Sequence, residues 1–86
     1  MDKWRKLEQV VCRSERRADE KPVKFRFKGN WVPVERIVST RLERGPGESD
    51  PTYRVFEVET GLGPARLRVA LNGWVWELQT ATRPPG

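Results

Sequence analysis

Residues 22–34 have the sequence PVKFRFKGNWVPV, and this stretch decides the fold class. Apolar and basic side chains alternate along it in the order Val23, Lys24, Phe25, Arg26, Phe27 and Lys28. A period of two predicts a half-buried β-strand whose outer side is basic. Gly29-Asn30 follows and predicts a tight turn. Because a second apolar run starts at Trp31, the stretch predicts a β-hairpin.

The strand after this turn is predicted to run from Trp31 to about Leu42 and to contain an irregularity. Val34 and Ile37 are both apolar, but they are three residues apart and would fall on opposite faces of a regular strand. A β-bulge near Glu35-Arg36 would bring them to the same face.

Three further strands are predicted, over residues 53–60, 65–71 and 74–79. The first is apolar on both faces, which is typical of the strongly curved sheet of a small barrel. Asn72-Gly73 predicts a hairpin turn before the last strand, with Trp74 facing the core.

The N-terminal segment allows two interpretations. Trp4, Leu7 and Val10 have helical spacing, which favours a short helix or an extended arm. Residues 8–13 include β-branched valines and could instead form a first strand.

Together these patterns predict an all-β protein: a small antiparallel barrel or roll of five or six strands, with a possible short N-terminal helix. Residues 22–80 form the predicted barrel domain. Residues 1–21 form an N-terminal arm or short helix followed by a polar loop, and residues 81–86 form a frayed tail.

The composition argues against catalysis. The chain has no His, which removes the commonest general base and the commonest metal ligand. Cys12 is the only cysteine, so no internal disulfide forms, and a reactive thiol would need a lowered pKa. A carboxylate pair is conceivable on one strand face, but such acids more often match Arg on the next strand, here Arg66 and Arg68. These acids are Glu57, Glu59 and Glu77. We therefore expect no enzyme activity, no cofactor and no metal.

Positive charge is concentrated at one end of the chain. The net charge is +5, and residues 1–28 hold ten basic and five acidic residues, so this part carries the whole excess. Basic residues interleaved with aromatic rings are typical of barrels that bind single-stranded nucleic acid. The candidate binding residues are Lys24, Arg26, Lys28, Trp31, Tyr53, Arg54, Arg66 and Arg68.

The sequence also resembles a known family through a set of mostly structural residues. They are Pro22-Val23, Phe25-x-Phe27-x-Gly29, Val34, Tyr53-Arg54-Val55, Gly73-Trp74 and Leu78. With these residues the chain resembles a small bacterial β domain of unknown function. That domain occurs as short stand-alone proteins and at the C-terminus of inactive translesion-polymerase homologues. The resemblance implies no catalytic residue.

The expected function is a non-catalytic binding module, for nucleic acid through the basic strand face. The alternative is a protein-interaction or self-associating module that uses a sheet edge or a tryptophan-bearing face. The N-terminus has no apolar run long enough for a signal peptide or membrane span, and the lone cysteine indicates a reducing compartment. We therefore expect a cytoplasmic protein with no membrane partner.

Overall fold

Seven antiparallel β-strands make up the computed structural model, which describes residues 3–14 and 20–80. The strands are β1 (Arg5–Lys6), β2 (Gln9–Ser14), β3 (Glu20–Phe27), β4 (Asn30–Arg44), β5 (Thr52–Thr60), β6 (Gly63–Ala70) and β7 (Trp76–Thr80). Their order in the sheet is β1-β7-β6-β5-β4-β3-β2. The all-β, antiparallel prediction is confirmed. Most of the predicted polar loop and the predicted frayed tail (81–86) lie outside the described residues.

The sheet curls into a half-barrel because β4 changes partner along its length. The first four residues of β4, Asn30–Pro33, pair with β3, whereas Val34–Arg44 pairs with β5. At the other side, β1 pairs with β7 and β2 pairs with β3, although only two residues separate β1 from β2. The prediction of five or six strands is therefore corrected to seven, with the N-terminal segment inside the same sheet.

The possible N-terminal helix is wrong. No helix occurs among residues 3–14 and 20–80, and the strand interpretation of residues 8–13 matches β2. Leu7 lies between β1 and β2, is 6% exposed, and its N–H donates to the carbonyl oxygen of Trp76 over 2.9 Å. Pairing with distant strands thus overrides the helical spacing of the apolar side chains.

The bulge predicted in β4 is confirmed. The pairing with β5 shifts between Val34 and Arg36, which makes Glu35 the extra residue. A second shift lies between Ile37 and Ser39. Both shifts lie just after β4 changes its pairing partner from β3 to β5. Because bulges bend a strand and increase its twist, they help β4 to curve at this point.

The hairpin turn between β3 and β4 lies one residue earlier than predicted. Phe27 pairs with Asn30, so the turn residues are Lys28 and Gly29 rather than Gly29 and Asn30. Both turn residues have positive φ, 51° and 80°. Two successive positive φ values are typical of a type I′ turn, which matches the twist of the flanking strands. Lys28 therefore adopts a backbone conformation that non-glycine residues rarely take.

The core lies on the concave side of the half-barrel. Its buried residues come from the β1–β2 junction and from β3 to β7. They are Leu7, Phe25, Val32, Phe56, Val58, Ala65, Leu67 and Leu78. Trp76 packs against this cluster, with its ring centroid 5.7 Å from that of Phe56.

Trp74 does not face the core as predicted. Strand β7 begins at Trp76, and Trp74 is 85% exposed in the connection after β6. The turn closes earlier, because the Gly73 N–H donates to the Ala70 carbonyl oxygen over 3.0 Å. Trp74 thus lies outside the β6–β7 ladder, where no alternation directs its side chain inward.

Candidate nucleic-acid interface

Trp31 lies beneath two cations on the outer face of the β3–β4 hairpin. Arg26 is directly opposite Trp31 in the ladder, and Lys24 is two residues away on the same face. The Lys24 ammonium is 4.9 Å from the centroid of a Trp31 ring, and the Arg26 guanidinium carbon is 5.7 Å away. Trp31 remains 41% exposed. Cation–π contacts at such sites contribute about 0.5–1 kcal/mol, enough to hold the indole against the sheet.

The face around Trp31 carries no carboxylate in its ladder positions. Residues that lie opposite each other in antiparallel strands project to the same side of the sheet. The β2 residues opposite the β3 cations therefore belong to this face as well. The ladder residues here are Gln9, Val11, Arg13, Lys21, Lys24, Arg26, Trp31 and Pro33. We call this set the basic face. Among residues 3–14 and 20–80, none of its cations forms an ion pair.

Arg13 and Lys21 were not among the sequence-predicted binding residues. The polar loop that the sequence predicts before the barrel domain covers residues 14–21, whereas β2 extends to Ser14 and β3 begins at Glu20. The β2–β3 register also shifts between Val11 and Cys12. Lys21 therefore shares a face with Lys24 although the two are three residues apart, which a simple alternation does not predict. The alternation of Val11 and Arg13 was the only local pattern that could have indicated this part of the face.

Lys28 lies at the tip of the hairpin and not on the basic face. Its ammonium is 5.4 Å from the Phe27 ring centroid. Phe27 packs against the core from the side of β3 opposite to Arg26. The turn conformation therefore separates Lys28 from Lys24 and Arg26.

Arg66 and Arg68 lie on a second outer face, formed by β4 to β7, where acids match the cations. Arg66 Nε donates to Glu57 over 3.1 Å, and Arg68 Nε donates to Glu77 over 2.9 Å. Arg36 pairs with Glu59 over 2.8 Å in the same way. The interpretation of these acids as partners of strand arginines is confirmed for Glu57 and Glu77.

Tyr53 is occupied by Arg68. The Arg68 guanidinium carbon is 4.1 Å from the Tyr53 ring centroid and 4.2 Å from that of Trp4. Because the guanidinium lies against both rings, and its side chain is only 18% exposed, neither ring offers that face to a ligand. This stack joins β5 and β6 to the N-terminal arm.

Arg54 points to the opposite side of the sheet from Tyr53. It alternates with the buried Val55 and shares the concave side with Phe56. There it borders a groove of about 350 Å³ together with Glu20, Thr40, Leu42 and Phe56. Lys21 and Arg41, whose ladder positions are on the outer side, also reach this groove. The eight predicted binding residues thus divide among four places. Lys24, Arg26 and Trp31 cluster on the basic face, whereas Tyr53 and Arg68 contact each other beside the acid Glu77.

Glu57 is held as a carboxylate by its neighbours. The Ser39 hydroxyl donates to Glu57 Oε2 over 2.9 Å, and this hydrogen bond lowers the pKa of Glu57 most. Hydrogen bonding and charge from Arg66, and charge from Arg41, lower the pKa further. A carboxyl with a lowered pKa is a poor general acid at neutral pH.

Replacing Glu57 should change how stability depends on pH. Because its folded pKa is lowered, Glu57 contributes stability above the ordinary carboxyl pKa and loses it as pH falls through the lowered pKa. We expect Glu57→Gln to destabilise the protein by up to about 1 kcal/mol at neutral pH. In urea unfolding, this difference should shrink in acid. The matched control is Glu48→Gln in the exposed β4–β5 connection. The prediction would be contradicted if Glu57→Gln lowered the free energy of unfolding by the same amount in acid as at neutral pH.

Cys12 does not have the properties of a reactive thiol. Partial burial raises its pKa, and the charge of Glu20 raises it further. Since the thiolate is the nucleophile, a raised pKa keeps Cys12 protonated and unreactive at neutral pH.

Within residues 3–14 and 20–80, no group of three or more His, Cys, Asp or Glu side chains could hold a metal ion. The same residues include no helix long and apolar enough to cross a bilayer. The resemblance to the polymerase-linked bacterial β domain stays a prediction. Comparisons of the chain with family models, curated proteins and solved structures give no match.

Proposed function

We propose that this protein is a non-catalytic module that binds single-stranded nucleic acid through the basic face. The observation that carries the proposal is the cluster of Lys24, Arg26 and Trp31, a partly exposed indole held by two cations on a face whose β2–β3–β4 ladder positions carry no acid. Phosphate neutralisation and base stacking are the two interactions that sequence-tolerant single-strand binding needs.

Each part of the cluster supplies one of these interactions. The Lys24 and Arg26 side chains would neutralise successive phosphates and release their counterions, so affinity would fall as salt rises. Trp31 is 41% exposed and would stack on a base when the Lys24 and Arg26 side chains turn from its ring to the phosphates. A base can stack only when it is not already stacked in a duplex, so the site favours single strands.

On the second outer face, unlike the basic face, the cations are paired with acids. Arg66 and Arg68 each have a carboxylate within 3.1 Å. A phosphate there would have to displace that partner or approach a face where acids balance the charge. We therefore place the phosphate contacts on Lys24 and Arg26 and leave Arg66, Arg68 and Tyr53 out of the site.

The test is a fluorescence anisotropy titration with a short fluorescein-labelled oligothymidylate at low and at physiological salt. The wild-type protein should bind at low salt and weaken as salt rises. Trp31→Ala should weaken binding about tenfold, because stacking contributes about 1–3 kcal/mol per base. The matched control, Trp74→Ala, removes another exposed indole and should leave affinity unchanged. The proposal fails if the wild type does not bind at low salt, or if both variants weaken equally.

One observation favours the second candidate function, a self-associating module. Leu71, Trp74 and Val75 are exposed together in the β6–β7 connection, at 52%, 85% and 47%. An exposed aromatic side chain beside aliphatic ones is a common anchor of protein interfaces. Light scattering should then show a dimer for the wild type and a monomer for Trp74→Ala. A monomeric wild type would exclude self-association at the concentration measured.

A further inference from the structure

We infer that the bound single strand follows β3, with a base on Trp31 and its phosphates continuing to Arg13 and Lys21 at the far end of the basic face. This inference rests on the proposed function and adds to it the length of the ligand, its path and two further binding residues.

Arg13 and Lys21 are directly opposite each other in the β2–β3 ladder, and both are exposed. Like charges in this position repel, which destabilises the pair of strands. In the described part of the chain no carboxylate forms an ion pair with either cation. Phosphates bound beside the two cations would replace this repulsion with attraction, one phosphate to each cation.

Glu20 is next to Lys21 in sequence but projects to the other side of the sheet. It is opposite Ser14, one residue beyond the Arg13–Lys21 pair, and side chains alternate between faces. The effect of Glu20 on Cys12 agrees with this placement, since Glu20 helps to raise the pKa of that thiol and Cys12 also alternates with Arg13. By the alternation of the ladder, the Glu20 side chain therefore projects to the side opposite to the Arg13–Lys21 pair.

The cations of the basic face are spread along the strands and not gathered at one point. Strands rise about 3.3 Å per residue, so Lys21 lies roughly 16 Å from Arg26 along β3. Lys24 lies between them, and Arg13 flanks Lys21. The basic residues of the face are Arg13, Lys21, Lys24 and Arg26. One phosphate for each cation corresponds to about four nucleotides, and the logarithm of affinity should fall with the logarithm of salt with a slope of about −3.

The test measures oligothymidylate affinity against salt for the wild type, for the double variant Arg13→Gln/Lys21→Gln and for Arg44→Gln. Arg44 is an exposed cation at the end of β4, and it serves as the matched control. We expect the double variant to reduce the slope by about 1.4 and to leave quenching of Trp31 fluorescence by bound ligand in place. Arg44→Gln should change neither the salt slope nor the fluorescence quenching. A dinucleotide is too short to reach Arg13 and Lys21, so it should bind the wild type and the double variant equally.

The outcomes separate the inference from the proposed function. If the wild type binds and Trp31→Ala weakens binding, but the double variant keeps the full salt slope, the extended path is wrong and the proposed function stands. If the wild type does not bind the oligothymidylate at low salt, both fail. Thermal unfolding of the double variant confirms that the protein is folded, and relief of the Arg13–Lys21 repulsion should raise its melting temperature at low salt.

Discussion

Phe25→Ala should lower the free energy of unfolding by about 3–5 kcal/mol, the range for truncating a fully buried Phe. The Phe25 side chain is 0% exposed, and its ladder partners Val10 and Val32 also pack in or against the core. A chain of 86 residues has a total stability of about 4–13 kcal/mol. The loss is therefore a large fraction of the whole, and urea unfolding followed by tryptophan fluorescence should show a much lower midpoint.

The control for Phe25→Ala is Val23→Ala on the same strand. Val23 is 37% exposed and is the residue skipped where the β2–β3 register shifts, so we expect it to change stability by no more than about 0.5 kcal/mol. Equal effects of the two substitutions would mean that Phe25 is not in the core. Because Lys24 and Arg26 flank Phe25, loss of this packing should also weaken oligonucleotide binding.

The parts of the fold that could be predicted from sequence are those that local periodicity determines. Alternation from Val23 to Phe27 specified a strand, and Phe25 is indeed buried. The parity conflict between Val34 and Ile37 specified a bulge, because a period of two leaves no other way to bring both to one face.

The parts that could not be predicted depend on contacts far away in sequence. The spacing of Trp4, Leu7 and Val10 fits one face of a helix, but it fits equally a strand that bends at Leu7. Only pairing with β7, at the other end of the chain, decides between the two. In the same way, Asn72-Gly73 suited a tight hairpin, yet the turn bond at Gly73 closes on Ala70 and leaves Trp74 outside the ladder.

The candidate site shows the same limit for charge. Every Arg on an outer face looks alike in sequence, and only the strand register shows which ones have an acid opposite. Arg66 meets Glu57 in the ladder, whereas Lys24 meets Val11 and Pro33. The pairing of strand acids with Arg66 and Arg68 was therefore predictable from sequence, but which cations lack an acidic partner among the described residues was not.

Arg68→Ala should lower the free energy of unfolding by about 2–3 kcal/mol, more than an ordinary surface substitution. The Arg68 guanidinium lies 4.2 Å from the Trp4 ring centroid and 4.1 Å from that of Tyr53. Each cation–π contact contributes about 0.5–2 kcal/mol, and the half-buried ion pair with Glu77 is lost as well. Chemical unfolding of the variant measures the sum.

A second set of variants shows whether the effect comes from stacking or from charge. Arg68→Lys keeps the charge near Glu77 but loses the planar group that lies against both rings, so it should be intermediate in stability. Trp4→Ala should be coupled to Arg68→Ala by about 1 kcal/mol in a double-mutant cycle, because the two side chains are in contact. Trp74→Ala, which removes an exposed indole, should show no such coupling. Additive effects of Trp4→Ala and Arg68→Ala would mean that the stack does not fasten the N-terminal arm to β6. If they are coupled, Arg68 works within the fold, which leaves phosphate binding to cations without an acidic partner.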